Sequence, residues 1–228
     1  MPNIVERLNH DMDAVIERVW QSLVQIRNGV GAAARGVVRV VIIGEDGGEP
    51  APVSHGSGFA VSPTRIITNA HVLGAHGLSV ILRDGRTLPA RVLAADRAHD
   101  VAALAVDATG LPTITLGDSR RREPGQWVTA VGHPWGVTGA ATAGIVTGTG
   151  VALPEAPGLG REWIATDLHL RPGHSGGPLV DSEGRLVGIN TIMAGPNVGL
   201  AVPVHVIVRF LQQALGSRAD IHAKTRAA

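Results

Sequence analysis

The segment that most constrains this chain is residues 171–180, with the sequence RPGHSGGPLV. One serine, Ser175, stands among three glycines and two prolines. Glycine lets a backbone turn sharply and approach a substrate closely, and proline fixes the chain on either side of the turn. A serine held there presents its hydroxyl outward and its amide inward, as an acyl-transfer nucleophile with an oxyanion hole requires. The same residues would also suit an ordinary turn. Other parts of the chain therefore have to distinguish a catalytic serine loop from such a turn.

The order of three residue types decides between two classes of hydrolase. Residues 173–177 fit the G-x-S-x-G pattern of the α/β-hydrolases, in which the acid and the histidine follow the serine. Only 53 residues follow Ser175, too few for the rest of that sheet. The chymotrypsin order is His, Asp, Ser, and His71 and Asp100 both lie upstream at the edge of an apolar run. The sequence therefore favours His71, Asp100 and Ser175 as a catalytic triad.

Composition narrows the classes of function further. The 228 residues are 44% hydrophobic, which indicates a globular chain rather than a disordered one. A net charge of +1 argues against nucleic-acid binding through bulk charge. The absence of cysteine excludes disulfides, cysteine-ligated zinc and cysteine catalysis. The histidines show no tight ligand spacing, so we expect neither a metal site nor a cofactor.

Short apolar segments separated by frequent turns predict an all-β chain. Abundant valine favours strands, and the 30 glycines and 14 prolines suit a fold rich in turns. Leu111-Pro112 is the best boundary between two halves of similar size, which suggests two antiparallel barrels. The predicted strands cover residues 22–26, 37–43, 56–61, 65–68, 78–82, 87–94, 101–106, 126–132, 142–149, 162–166, 185–191 and 198–202.

Two amphipathic helices frame the predicted strands. Apolar residues recur at three- and four-residue spacing over residues 3–20 and again over 204–215. The first helix is either an arm for oligomerisation or regulation, or a helix packed on its own barrel, which we favour. The predicted organisation is a helical arm at 1–21, a first barrel at 22–110, a second barrel at 111–203, and a C-terminal helix and tail at 204–228.

The start of the chain does not resemble a secretion signal. Charged residues at positions 6, 7, 11, 13, 17 and 18 interrupt any apolar stretch there. No run approaches the ~18 apolar residues of a membrane span. As written, the chain is expected to stay in the cytoplasm, whereas a removed leader would place it in the periplasm or outside the cell.

Several separate motifs resemble those of one protease family. They are TNAHV (68–72), HDVA (99–102), LGDS (116–119), GHPWG (132–136), the serine loop with its approach (166–179), GINT (188–191) and GLAVP (199–203). Together they resemble the trypsin-like serine proteases of the HtrA/Deg type, over about residues 22–215. The resemblance implies a chymotrypsin-like fold of two six-stranded Greek-key barrels. It also implies a serine endopeptidase of protein quality control, acting on unfolded or exposed polypeptides, and a homo-oligomer, since related enzymes are often trimers. No nucleic-acid or membrane partner is expected.

The triad mechanism gives each site residue a role. Ser175 would attack the scissile carbonyl, His71 would take and return the proton, and Asp100 would orient the imidazole. The backbone N–H groups of Gly173 and Ser175 would hold the oxyanion. From the resemblance, Leu170, Met193 and Ala194 match positions that line the primary specificity pocket. Because none of them is acidic, we expect cleavage after small or medium aliphatic residues such as Val, Ala or Ile.

The serine loop also departs from the family. His174 stands where asparagine is usual, and Leu168, His169 and Arg171 replace small residues and asparagine in the approach. His174 would either make the loop sensitive to pH or be a spacer whose side chain points away, which we favour. These departures keep open an alternative function, a catalytically silent or ligand-gated module that binds polypeptides. The family commonly carries a C-terminal PDZ domain, and the 13 residues after Leu215 lead us to expect none here.

Overall fold

The computed structural model describes residues 4–20, 23–28, 41–42, 51–52, 55–74, 78–82, 84–108, 111–137, 139–156 and 160–216. The strand predicted at 37–43 lies outside the described residues except for 41–42. The predicted tail lies outside them beyond residue 216.

The described residues of the first half of the chain contain eight strands. They are β1 (Leu23–Asn28), β2 (Val41–Ile42), β3 (Ala51–Pro52), β4 (His55–Ser62), β5 (Arg65–Thr68), β6 (Leu78–Ile81), β7 (Thr87–Asp96) and β8 (Val101–Val106). Strands β2 and β3 form a small two-stranded sheet. The other six pair antiparallel and close into a barrel in the order β1-β4-β5-β8-β7-β6.

The second half closes into another six-stranded antiparallel barrel. Its strands are β9 (Trp127–Gly132), β10 (Ala140–Gly150), β11 (Trp163–Thr166), β12 (Pro178–Asp181), β13 (Leu186–Gly195) and β14 (Val198–Pro203). Around this barrel the order is β9-β10-β11-β14-β13-β12. In both barrels the third strand pairs with the sixth and the fourth closes on the first, so the two halves share one path. The predicted all-β double barrel is confirmed.

Strand β12 was not predicted as a separate element. Its four residues, Pro178–Asp181, are all buried, so they lack the alternation of apolar and polar residues that marks a half-buried strand. In the sequence they read as the end of the serine motif. In the structure they pair with β9 on one side and β13 on the other, which closes the barrel directly after Ser175.

Both helices pack on the barrels. Helix α1 (Ile4–Trp20) lies against β9, and its Val15 side chain is buried in the same apolar cluster as strands of both barrels. Helix α2 (Val204–Leu215) adds Ile207 and Phe210 to this cluster, beside Phe59 and Ile189. Burial of this shared cluster holds the barrels together and so sets the geometry of the groove between them. Within this chain, α1 packs on the second barrel.

Ser119 connects the LGDS segment to the start of α2. Its hydroxyl oxygen accepts the backbone N–H of His205 at 3.2 Å and lies 2.8 Å from His205 Nδ1. On the other side of the ring, His205 Nε2 is 2.9 Å from Glu162 Oε2. The residue before α2 is Pro203, whose side chain gives no cap hydrogen bond. Ser119 therefore satisfies an unpaired N–H in the first turn from a distant part of the chain.

Removal of this hydroxyl should weaken the fold. We expect Ser119→Ala to lower the free energy of unfolding by about 1–2 kcal/mol, because a helix cap and a buried side-chain hydrogen bond are lost together. Urea unfolding followed by circular dichroism measures the change. Ser182→Ala, at an exposed serine, is the matched control and should stay within about 0.5 kcal/mol of wild type. Equal stability of the two variants would contradict the capping role.

Candidate active site

The three predicted triad residues meet in a cleft between the barrels. His71 lies on a single 3-10 turn, Ala70–Val72, after β5, and Asp100 comes directly before β8. Ser175 lies between β11 and β12 of the other barrel. His71 and Ser175 thus occupy the same connection, between third and fourth strands, in the two barrels. The cleft measures about 650 Å³ and is lined by all three residues.

His71 and Asp100 form a two-point contact. The imidazole Nδ1 is 2.7 Å from Asp100 Oδ2, and the backbone N–H of His71 donates to Oδ1 at 2.9 Å. The Asp100 side chain is 11% exposed and that of His71 is 47% exposed. Because the carboxylate accepts at Nδ1, the proton sits on that nitrogen and Nε2 is left with a free lone pair. This arrangement orients the ring for general-base chemistry.

A residue that the sequence analysis did not single out holds Asp100 in place. Asp100 has a φ of +56°, in the left-handed region that non-glycine residues rarely adopt. The Asn69 Nδ2 group donates to the Asp100 carbonyl at 2.8 Å and to Thr191 Oγ1 at 3.0 Å. Asn69 therefore links the acid of the first barrel to β13 of the second. Its place in the TNAHV motif was the available signal.

Ser175 is held at its backbone and its hydroxyl. Its carbonyl accepts the Ser57 N–H at 2.8 Å, and its Oγ donates to the Thr191 carbonyl at 3.1 Å. The structure thus directs the hydroxyl to β13 rather than to His71. The side chain is half-buried and borders the cleft that His71 also lines.

The backbone before Ser175 turns two amide groups in a defined direction. The Pro172 carbonyl accepts the Trp135 N–H at 3.0 Å, and the His174 carbonyl accepts the Gly177 N–H at 2.9 Å. In a planar trans peptide the carbonyl and the following N–H point opposite ways. The N–H groups of Gly173 and Ser175 therefore point away from these bonds, and within the described chain neither has an acceptor. Such a pair of unpaired donors is what an oxyanion hole needs.

Glycine is required at position 173. Its φ is +104°, and a Cβ there would overlap the His133 carbonyl oxygen. Its own carbonyl accepts the Ser57 hydroxyl at 2.7 Å, while the Ser57 Oγ accepts the His133 N–H at 2.9 Å. Through these two hydrogen bonds Ser57 connects the serine loop to His133. Its signal in the sequence was only the GSG run at 56–58.

His174 is buried and folds back onto its own loop. The Arg171 N–H donates to its Nδ1 at 3.0 Å, and its Nε2 is buried without a hydrogen-bond partner. An accepting Nδ1 requires the neutral imidazole with the proton on Nε2. The side chain therefore supports the loop conformation, and protonation would remove the acceptor for Arg171.

The trypsin-like peptidase domain family matches residues 56–189, which is more than half of the chain. The chain belongs to this family. The matched region runs from the second residue of β4 into β13, and it contains His71, Asp100 and Ser175.

Individual relatives indicate which type of trypsin-like protease this chain is most similar to. A Halomonas elongata protein named probable periplasmic serine endoprotease DegP-like is 43% identical over 167 residues, covering 70% of this chain and 35% of that protein. The mitochondrial serine protease HTRA2 of Drosophila pseudoobscura pseudoobscura is 36% identical over 177 residues, covering 75% and 42%. The chain thus spans well under half the length of these relatives.

A solved structure agrees with the same type. The HtrA-type protease AlgW with a decapeptide aligns with a TM-score of 0.73 at 28% identity, over 89% of this chain and 67% of that one. The HtrA-type resemblance stated from the motifs is confirmed.

The structure places only some of the specificity residues proposed from the family resemblance at the cleft. Leu170 is buried and lines the cleft, and Met193, 47% exposed, lines it as well. Ala194 is exposed and is not among the lining residues. Of the three, the structure brings Leu170 and Met193 to the cleft.

The described part of this trypsin-like domain contains no cluster of histidine, aspartate or glutamate side chains that could hold a metal ion. None of the helices in that part is long and apolar enough to cross a membrane.

Two buried histidines, His133 in the turn after β9 and His174 in the serine loop, have pKa values below that of an ordinary histidine. Burial, with a contribution from the nearby His174, lowers the pKa of His133 to about 4. Burial is also the main cause of the lowered pKa of His174, which faces Arg171 and His169. Below about pH 6.5 the unfolded chain takes up protons that the folded chain excludes. Stability from these groups is therefore full above pH 6.5 and falls as the pH drops towards 4.

We expect His133 alone to account for about 3 kcal/mol of the free energy of unfolding lost across this window. Urea unfolding at several pH values between 7.5 and about 4 measures the slope. In His133→Gln the slope should become shallower, whereas His10→Gln, at an exposed histidine, should keep it. A His133→Gln slope as steep as that of wild type would contradict the prediction.

Proposed function

We propose that this chain is a serine endopeptidase that hydrolyses peptide bonds in unfolded or exposed polypeptides. Ser175 is the nucleophile, His71 the general base and Asp100 the group that orients it. The observation that carries the proposal is the pairing of an oriented His71–Asp100 couple with two unpaired amide donors beside Ser175. The relatives named as serine proteases support the same reading.

The reaction starts when the Ser175 hydroxyl turns from Thr191 to His71 Nε2. Its oxygen attacks the scissile carbonyl as its proton passes to Nε2, and the oxyanion is held by the N–H groups of Gly173 and Ser175. The imidazolium then protonates the leaving amine, and an acyl-enzyme remains on Ser175. A water molecule gives its proton to Nε2 and attacks the ester carbonyl, which releases the acid and restores the serine.

The edge of β13 offers the substrate a backbone partner. On the β12 side, the pairing of β13 ends where the Asn190 N–H donates to the Gly177 carbonyl. Residues 191–193 line the cleft, and Ile192 and Met193 pair with β14 on their other edge. An extended peptide can therefore add as a strand along 191–193, with backbone hydrogen bonds that do not depend on its side chains. Such binding requires an unfolded or exposed segment.

The residue before the cleaved bond is expected to be small or medium and aliphatic. Leu170 and Met193 give an apolar wall, and among the described lining residues the one acid, Asp100, is hydrogen-bonded to His71. A basic side chain would find no free carboxylate there. Digestion of a peptide library should show cleavage mainly after Val, Ala or Ile, and a strong preference for Arg or Lys would refute this assignment.

A binding module without turnover is the second candidate, and one observation favours it. The Ser175 hydroxyl donates to Thr191 and not to His71, so the nucleophile is not engaged with its base in this structure. A fluorophosphonate probe separates the candidates. Labelling of wild type that disappears in Ser175→Ala would support the protease. Absence of labelling in both would favour the binding module.

A further inference from the structure

Three arginines line the cleft that contains Ser175. Arg97, Arg161 and Arg171 come from three separate segments of the chain, and within the described residues none forms an ion pair. The described arginines that do pair with carboxylates all lie outside the cleft: Arg86, Arg121, Arg122 and Arg185. Among the described residues, three positive charges therefore converge on one groove against the single negative charge of Asp100, which also lines it.

The carboxylates near the cleft keep their negative charge, but their oxygens already have histidine hydrogen-bond partners and are outnumbered by the three arginines. Both carboxylate oxygens of Asp100 accept hydrogen bonds from His71. Asp96, whose charge acts on Arg161, is paired with His99 at 2.6 Å. An extended peptide in the groove would meet a positive potential, which a low-dielectric wall strengthens.

Two of the guanidinium groups are held in place by stacking. Arg161 lies 4.3 Å from the centroid of the Trp163 ring and donates from Nη1 to the Ala98 carbonyl at 2.8 Å, while its buried Nε has no partner. Arg171 lies 5.3 Å from the centroid of the exposed Trp135 ring. Stacking orders the planar group yet leaves its edge N–H donors free for a carboxylate. Ordering before binding reduces the entropy lost when a ligand is bound.

We propose that the arginine-lined cleft selects polypeptide segments that carry Asp or Glu within a few residues of the cleaved bond. This inference rests on the proposed endopeptidase function and names the class of segment on which it acts. The net charge of +1 for the whole chain makes the positive cleft a local feature rather than part of a basic surface. A carboxylate is the ligand that a guanidinium pairs with in two parallel hydrogen bonds.

Three matched peptides test the selection. Each is an internally quenched substrate with the same valine before the cleaved bond, and the flanking positions carry Glu, Gln or Lys. The amino and carboxyl termini of each peptide are blocked, so that its only charges are on side chains. Any preference for the Glu peptide then comes from side-chain carboxylates and not from a terminal carboxylate. Because an exposed ion pair changes binding by about 1.5- to 5-fold, we expect kcat/KM for the Glu peptide to exceed that for the Gln peptide by about tenfold. The Lys peptide should be the poorest.

Salt and substitution assign the effect to the arginines. The ratio of kcat/KM for the Glu peptide over the Gln peptide should fall several-fold from about 0.05 M to about 0.5 M sodium chloride, because salt screens exposed charges. In the double variant Arg97→Gln/Arg171→Gln the ratio should fall to about 2, the remainder coming from Arg161. Both replaced residues are exposed, so the fold should tolerate the change. Arg120→Gln removes an exposed arginine outside the cleft and should keep the wild-type ratio.

The outcomes separate the inference from the function on which it rests. Equal cleavage of the Glu and Gln peptides by wild type would overturn the selection and leave the endopeptidase intact. Loss of the ratio in Arg120→Gln to the same degree as in the double variant would overturn it too, since bulk charge would then explain the effect. Failure of wild type to cleave any of the peptides, together with no probe labelling, would overturn the endopeptidase function itself.

Discussion

Ser175→Ala should lower kcat for peptide hydrolysis by about a million-fold, the loss measured for the nucleophile of a well-studied serine protease. The alanine has no oxygen with which to form the acyl-enzyme, so the covalent route is closed. The two amide donors beside residue 175 belong to the backbone and stay in place, which leaves a residual acceleration. Steady-state kinetics on the valine peptide measures the change.

Peptide binding should survive the loss of Ser175. The edge of β13 and the apolar wall of Leu170 and Met193 do not involve the hydroxyl. Fluorescence anisotropy of a labelled peptide should therefore give a Kd within about threefold of wild type, because only one weak hydrogen-bonding group is removed. Ser182→Ala is the control for kinetics and should retain full turnover. Turnover by Ser175→Ala within about a hundredfold of wild type would contradict the assigned nucleophile.

Asp100→Asn should lower kcat by about 10,000-fold, as the same change does in trypsin-like enzymes. His71 presents two donors to this carboxylate, its backbone N–H to Oδ1 and its Nδ1–H to Oδ2. An asparagine offers one acceptor and one amino group. If its oxygen meets the backbone N–H, its amino group faces Nδ1 and moves the imidazole proton to Nε2. That nitrogen then cannot accept the proton of Ser175.

The chain supplies a close control for this substitution. Asp96 binds His99 in the same two-point way, with the backbone N–H at 3.1 Å from Oδ1 and Nδ1 at 2.6 Å from Oδ2. Asp96→Asn therefore removes the same charge and the same contacts outside the cleft. It should leave kcat within about threefold of wild type, as substitutions remote from the reacting groups usually do. Similar losses in both variants would mean that charge or stability, rather than the His71 tautomer, is responsible.

The local sequence pattern predicted the positions of most strands. Arg65–Thr68, Val101–Val106 and Val204–Leu215 were predicted to the residue, because a short apolar run and a helical stripe are both properties of neighbouring residues. Other strands were located with ends shifted by one to four residues, as at β13, which continues to Gly195. There the turn at Asn197, with a φ of +57°, ends the strand later than its apolar pattern suggests.

The sequence by itself determined which residues are available for chemistry and in what order. It placed His71, Asp100 and Ser175 in the order of one class of serine hydrolase, and it supplied a glycine at 173, where only a residue without a Cβ fits. These features depend on residue type and spacing along the chain, so they are visible before folding.

Only the tertiary structure decided how these residues meet. The His71–Asp100 contact joins residues 29 apart in the chain, and the Asn69–Thr191 contact joins residues 122 apart. The direction of the Ser175 hydroxyl, the burial of His133 and His174, and the convergence of three arginines on one cleft likewise depend on two barrels packing around a shared core. Such contacts follow from the closure of the barrels and carry no local pattern, since each partner's sequence neighbourhood reads as an ordinary loop or strand.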